Sequence, residues 1–479
     1  RLLLNHLKAA SLRLPILKHV GFWPNTSMKS TVRTLFLFAG LLLGQGLLFG
    51  QSGGVSPYSI YGHGWVQPNA FTYHSILGGT QAAATSGLYV NPAQPASYAD
   101  LRYTTLDLGG SYMGVHQANE NASLWNTTGG FKHMGVAFPL KKWMGFSTGL
   151  MPYSLTGYDM LTKGTDADFG DYTQQFKGSG GYTKLHVGLG LKPVKFLALG
   201  FNANYLFGSL DQTTSMIFSD NQFNSVRVAQ RTLASDWYWD AGAQLRLPVG
   251  AYKVVAGATL RNGSAISSTF NDLSYTYIAN GSGSETPLDT GAAVLNQEGY
   301  IYVPTQMSVG LEFSKPAKDL PVSAWSVGIQ YQVTETHFLL PFSTGTLPWL
   351  TSEPWSGPYA ENSTRISASA SLIPSLAFPE KRLKGFKNDI AYRAAFSYEN
   401  TGLVLNQTPI NAWQASLGMG LPIGGRAILP GDVKFATLHI GAQVGSWGTK
   451  TNGLIQEFYA QATVGVTLND QWFVKFKYR

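Results

Sequence analysis

The sequence predicts an all-β protein: a 14-stranded antiparallel transmembrane β-barrel with an N-terminal hatch plugging the lumen. Three observations carry this. Apolar residues recur at every second position in segment after segment, the period of a strand with one greasy face. The opposite faces are rich in Gly, Ser, Asn and Gln, as a wet lumen requires, and the apolar faces begin or end in Trp or Tyr, like an interfacial girdle. The connections between segments alternate in length, six mostly short ones on one side and seven mostly longer ones on the other, which joins fourteen strands.

Composition narrows the class. The chain has 479 residues, 13% charged and 13% aromatic, with 54 glycines and no cysteine. That is too long for one ordinary globular core and too rich in tyrosine, tryptophan and glycine for a helical enzyme. Missing cysteine removes disulfides, thiolate metal sites and an acylated lipoprotein terminus. The net charge of +8 resides mostly in residues 1–50, where Arg1, Lys8, Arg13, Lys18, Lys29 and Arg33 face no acid; from residue 51 onward only +2 remains. Nothing there is a nucleic-acid footprint, and no nucleic-acid partner, cofactor or metal is expected.

The elements follow in order. Residues 1–27 read as an upstream translation with no structural role, because Met28 looks like the start. Residues 28–50 read as a signal peptide: Met28–Arg33 is its basic n-region, Leu35–Leu43 its apolar core, and Gly50 a cleavage position before Gln51. Gly44, Gln45 and Gly46 break that core, which makes it short for the alternative, an uncleaved anchor.

Residues 51–102 form the hatch. Gly78-Gly79-Thr80 through Asn91-Pro92-Ala93 to Tyr98 is small, neutral and rich in turns. Ala82, Ala83, Ala84 and Gly87 bury too little area for a core, and two prolines interrupt any ladder, so the stretch makes sense inside something larger.

Residues 103–468 form the barrel. On one face of Tyr182–Leu191 stand Thr183, Leu185, Val187, Leu189 and Leu191; Lys184, His186, Gly188 and Gly190 stand on the other. Leu197–Phe207, Trp237–Leu247, Thr305–Phe313, Trp413–Leu421 and Phe458–Leu468 repeat the pattern. The third strand is expected over 144–155, and stretches 156–181, 209–234, 263–301 and 335–363 are expected as external connections. Residues 469–479 read as a short periplasmic tail. Closure removes edges that would otherwise face lipid, and the place for such a barrel is the bacterial outer membrane, among its lipid and lipopolysaccharide.

With Gly78-Gly79, the alanines after them and Asn91-Pro92-Ala93 ahead of the first strand, the sequence resembles the FadL family of outer-membrane transporters for hydrophobic compounds. The opening Pro57–Gly62 and the closing Leu468–Lys475 are similar to FadL-like barrels of Bacteroidota. The likeness covers essentially all of residues 51–479. It implies passive, hatch-gated uptake of a hydrophobic or amphipathic, fatty-acid-like small molecule. It also implies a kink in the third strand through which ligand leaves sideways. In this sequence Gly149 and Pro152 are the candidates, since proline cannot donate to a ladder and glycine permits a bulge; the competing reading is that Pro152 marks the rim. A PorV-like branch of the family serves a secretion machinery, so a protein partner is the alternative, although this chain has Tyr89-Val90-Asn91-Pro92-Ala93 where that branch has Trp-Asn-Pro-Ala.

Further residues invite chemistry. Met113, Tyr238, Val255, Phe435 and Tyr459 fall on inward positions and could line a greasy path, or simply pack against the hatch. His133, His186 and His439 also point inward, where polar filling of a wet interior competes with catalysis. No nucleophile and carboxylate accompany them recognisably in sequence, and an enzyme is not expected. Asp166, Asp168 and Asp171 lack the spacing of a calcium loop and read as a solvated turn. Pro348-Trp349 and Pro354-Trp355, with Phe338, Leu339, Leu340 and Phe342, read as an apolar external loop that lands ligand, caps the lumen or sits in headgroups.

Overall fold

The computed structural model describes residues 56–220, 222–279, 285–318, 320–335, 359–378, 386–423 and 435–470. The expected leader, the stretch before it, most of the expected tail and the apolar loop residues from Phe338 to Trp355 lie outside the described residues.

The short strand β1 (Trp65–Val66) belongs to the N-terminal segment. The wall begins with β2 (Thr104–Ala118), β3 (Ser123–Lys141), β4 (Met144–Pro152), β5 (Ser154–Asp166), β6 (Gly170–Val194) and β7 (Leu197–Phe218). It continues through β8 (Ser225–Val249), β9 (Tyr252–Arg261), β10 (Ser264–Ala279), β11 (Glu285–Val303), β12 (Gln306–Pro316) and β13 (Ser323–Thr334). After the two-residue β14 (Tyr359–Ala360) come β15 (Ser363–Leu372), β16 (Ala391–Leu405), β17 (Thr408–Ile423), β18 (Phe435–Gly448) and β19 (Gln456–Asp470). Every pairing is antiparallel, and β19 closes on β2 from Gln456↔Ala118 to Asp470↔Thr104. Three positions around the ring are held by two strands in line, β4 with β5, β9 with β10, and β11 with β12, so the wall is a closed barrel of 14 strands.

The alternation of the sequence becomes the two faces of this wall. Leu199, Phe201, Leu245, Val309, Leu311 and Ile329 are exposed on the outside, whereas Lys184, His186, Asn202, Asn204 and Gln244 are buried inside. A one-residue register slip would exchange the faces and present Lys184 to lipid, at about 2–4 kcal/mol for a charge near the midplane. Aromatic residues mark both rims: Tyr252, Phe313 and Trp325 cluster beside the short turns, and Trp237 lies against Tyr205 toward the opposite rim. Short turns face the periplasm in such barrels.

Strand lengths are uneven. β6 and β8 have 25 residues each, against 9 in β4 and 10 in β15. Since a tilted crossing takes about 9–11 residues, much of β5–β8 and β10–β11 stands outside the membrane. The stretches expected as connections, 156–181, 209–234 and 263–301, are therefore continuations of the strands into tall hairpins. Long parts of these hairpins meet water on both faces, so the alternation that marks a crossing fades there; on β11 every residue from Glu285 to Asn296 is exposed.

Candidate functional site

The N-terminal segment has almost no regular structure, and its backbone groups are satisfied by side chains of the wall. Gln330 Oε1 accepts from the amides of Gln81 and Ala82, 2.8 Å each. Gln244 Nε2 donates to the carbonyls of Ala82 and Ala84 at 3.1 and 3.2 Å. Asn202 Nδ2 donates to Pro92 O at 2.9 Å, Gln443 Nε2 to Ser75 O at 2.9 Å, and Asn469 Nδ2 to Leu88 O at 2.9 Å. Inward amides thus replace the ladder that the segment lacks. At its periplasmic end Asp100 meets Lys192, and Arg246 at 2.9 Å.

Within this packing the expected motif residues are placed as follows. Gly78 and Gly79 both have positive φ, +60° and +99°, and a Cβ on Gly78 would stand 2.8 Å from the Ala395 methyl. Gly78 O accepts from Arg365 at 3.2 Å. Asn91 is buried and its Nδ2 donates to Gln81 O at 2.9 Å, so it ties two arms of the segment together. Ala93 borders the cavity described below.

The inward histidines join a buried polar chain. His133 Nε2 and Asp107 Oδ1 are 2.5 Å apart, Thr467 Oγ1 donates to Asp107 Oδ2 at 2.5 Å, and His439 Nε2 lies 3.0 Å from Thr467 Oγ1. Arg393 Nη1 stands 3.2 Å from His439 Nδ1. Rings of the segment cover this chain: Phe71 stacks on His133 at 4.3 Å, and Tyr73 stacks on Tyr89 at 4.1 Å beneath the Arg393 guanidinium. Burial, aided by Arg393, pushes the His74 imidazole down to about 3. His186 Nε2 lies 3.2 Å from Ser147 Oγ, but neither residue borders the cavity. No carboxylate orients that imidazole among the described residues. Asp166 and Asp171 serve their turn instead: Asp166 Oδ1 accepts from the amides of Asp168 and Phe169, and Asp171 Oδ1 from Thr165 Oγ1 at 2.6 Å.

The wall is discontinuous at its third position. β4 ends at Pro152, Tyr153 is out of the ladder, and β5 begins at Ser154. β3 pairs with β4 from Lys141↔Met144 to Met134↔Leu150, but among the described residues no pairing joins its upper part to β5. The edge of β5 is taken by β1 instead, Trp65↔Leu155 and Val66↔Ser154, and Gln67 N donates to Tyr153 O at 2.8 Å. On β6, opposite the break, Gly181 has φ +145°, and a Cβ there would collide with Ser154 O. Gly149 itself stays in the ladder, opposite Gly135 and His186.

A cavity of about 390 Å³ lies between this strap and the opposite wall. Both lips of the break border it, Gly129, Gly130, Phe131 and Lys132 on one side and Pro152, Tyr153 and Leu155 on the other. Met113 and Tyr459 border it too, clustered with Val115 and Trp65, and Trp65 meets Trp447 and Tyr459 edge-on at 5.8 and 6.3 Å. Tyr238 packs elsewhere, in a cluster with Tyr153, Tyr182, Leu206 and Ile266. Val255 is fully buried near the periplasmic end, opposite Arg246 and Glu312. Phe435 opens β18 opposite Asn469, and its side chain lies outside the described residues. The structure therefore brings together two of the five residues expected along a greasy path. It adds Trp65 and four glutamines, Gln306, Gln332, Gln414 and Gln461. The only signal of the glutamines in sequence is their inward parity, and Trp65, outside the wall strands, has none.

A model of the BamG family matches residues 32–479. The chain belongs to the BamG family. The chain is also similar in structure to the P. putida toluene transporter TodX, with TM-score 0.51 and 13% identity over 85% of this chain and 100% of that one. Weaker likenesses are to the CymD monoaromatic hydrocarbon channel (TM-score 0.49, 10% identity, 85% of this chain and 98% of that one) and to a Pseudomonas aeruginosa FadL homologue (0.49, 12%, 85% and 99%). The resemblance to FadL-type barrels read from the sequence holds in the fold: this is a barrel of the bacterial outer-membrane type. No curated protein matches the chain.

Proposed function

We propose that the barrel takes up hydrophobic or amphipathic, fatty-acid-like small molecules across the outer membrane, passively, with residues 51–102 as its hatch. The observation that carries this reading is that one cavity touches both lips of the wall break and the strap between them. Ligand enters among the external hairpins and rests in the cavity. It leaves sideways between Gly129–Gly130 and Pro152–Tyr153 when Trp65 and Val66 release β5. The Gly78-Gly79 and Asn91-Pro92-Ala93 portions stay anchored below. Burial of apolar surface, about 0.8 kcal/mol per methylene, drives binding without a nucleotide. A transport role agrees with what TodX is named for.

The chain has no cysteine, so a disulfide can be placed without rivals. Val66 and Ser154 are Cα partners, at the roughly 4.5–5.5 Å that a disulfide spans. The oxidised Val66→Cys/Ser154→Cys variant should lose uptake of a fluorescent dodecanoate analogue into proteoliposomes and regain it with dithiothreitol. Unchanged uptake by the fully cross-linked protein would overturn the lateral route.

One observation favours a second reading, a protein partner. Leu273, Ile278, Leu288, Val294, Leu295 and Tyr300 are exposed on the β10–β11 hairpin, an apolar surface of the kind that marks interaction sites. Purification in mild detergent separates the two: a stoichiometric protein favours the partner, an extracted lipid the uptake.

A further inference from the structure

The amides of the inner wall fall into two groups. Gln330, Gln244, Asn202, Gln443 and Asn469 bond the N-terminal segment. Gln306, Gln332, Gln414 and Gln461 border the cavity and make no bond to that segment. Among the described residues Gln414 Oε1 accepts only from Tyr459 OH at 3.3 Å, and Gln332 Oε1 only from Ser308 Oγ at 3.5 Å. The side chains of Gln306 and Gln461 have no hydrogen-bond partner among the described residues.

Buried polar atoms on other residues bordering the cavity also lack hydrogen-bond partners among the described residues: Gln81 Oε1, Tyr153 OH, Trp447 Nε1 and Arg365 Nε, the last beside the Glu399 carboxylate. They comprise an acceptor, a group that does both, and two donors. Gln81 is 5% exposed and Tyr153 3%, so bulk water does not reach them freely.

Two of the three cations of the cavity, by contrast, are paired with acids, Arg261 with Asp240 and Arg365 with Glu399. Lys132 Nζ donates to Ser75 Oγ at 2.8 Å, Arg261 pairs with Asp240 at 3.4 Å, and Arg365 donates to Gly78 O and Ser397 Oγ at 3.2 and 3.1 Å.

From this division we infer that the cavity takes an amphiphile whose head group is neutral and polyhydroxylated, as in an alkyl glycoside. The inference rests on the uptake reading above and names its substrate class. A hydroxyl donates and accepts at one atom, as a primary amide does across two, so a ring of hydroxyls satisfies free amides whichever way they turn. A bare hydrocarbon would strip those amides of water and return nothing, at about 1–3 kcal/mol for each group left unpaired. A carboxylate head accepts without donating, so it would leave acceptors such as Gln81 Oε1 unpaired, and Arg261 and Arg365 already face acids. Trp65, Trp447 and Tyr459 continue the cavity toward the strap with aromatic surface, where the apolar part of the ligand lies.

The test uses the full chain purified in an amine-oxide detergent and moved into phospholipid nanodiscs, with quenching of tryptophan fluorescence as readout. The probes are dodecyl glucoside and dodecanoate. The wild type should bind the glucoside at least tenfold more tightly. The Gln306→Leu/Gln414→Leu/Gln461→Leu variant, checked for a folded barrel by heat-modifiable migration in gels, should lose that preference while keeping its dodecanoate affinity. Dodecanoate binding as tightly as the glucoside, or a preference indifferent to the three substitutions, overturns the inference and leaves uptake standing. Binding of neither probe overturns both.

Discussion

Two stretches of the same bore use the same side chains differently. Toward the periplasm, inward amides hold the main chain of the N-terminal segment, and glycines let it approach: a Cβ on Gly200 would collide with the backbone of Pro95–Ala96, and one on Gly257 with Ala82 O. Further out, glutamines on β12, β13, β17 and β19 face a cavity and hold nothing of the segment. The lesson is that inward polarity does not identify a binding surface. Whether the polar groups are already occupied does.

The contrast can be broken most forcefully at the glycines. Gly200→Val combined with Gly257→Val should unseat the segment while leaving the wall closed. Overpacking of about 1–3 kcal/mol shifts such an equilibrium by roughly 5- to 150-fold. Planar-bilayer recordings should then show frequent large openings, as for a variant lacking residues 51–98; a silent double variant would mean that the segment does not stop the bore.

A smaller effect is expected from Gln330→Leu, which strands the amides of Gln81 and Ala82 and costs about 1–3 kcal/mol for an unsatisfied buried group. Hydrogen exchange should rise in residues 78–84 and stay unchanged in β2 and β19. Acid should loosen the same region. His74 stays neutral in the folded protein because its value is lowered to about 3, against about 6.5 in an unfolded chain. Its contribution is fully present above pH 6.5 and declines as pH falls toward 3, because the unseated state binds the extra proton. Arg393, His133, His439 and Asp107 surround this region. His74→Gln should flatten the acid sensitivity of exchange in residues 71–77. The smallest effect on stability, within about 0.5 kcal/mol, is expected for Gln461→Leu, whose side chain holds nothing; thermal unfolding followed by heat-modifiable migration checks it.

Much of this architecture is legible in the sequence. Strands inside the membrane have one greasy and one wet face, so Leu185–Leu191 and Trp413–Leu421 declare both their existence and their orientation. β4 ends at Pro152, which still pairs with Thr183 of β6 but has no partner on the β3 side among the described residues, where it could not donate, whereas the neighbouring Gly149 pairs on both sides. The hairpins beyond the membrane are hidden, since residues such as Glu285–Asn296 face water on both sides and keep no period. The cavity is hidden as well: Gln330 and Gln332 share a face of β13, and only the fold tells which of them the segment engages.

The hold on the N-terminal segment is made mostly through its peptide groups, at Gln81, Ala82, Ala84, Leu88 and Pro92. Any residue with an N–H and a carbonyl offers the same handles, so many of those positions are free to drift as long as they stay small. The amides that grip them have no such latitude. The usual relation between scaffold and insert is reversed: the shape of the insert is written in its container.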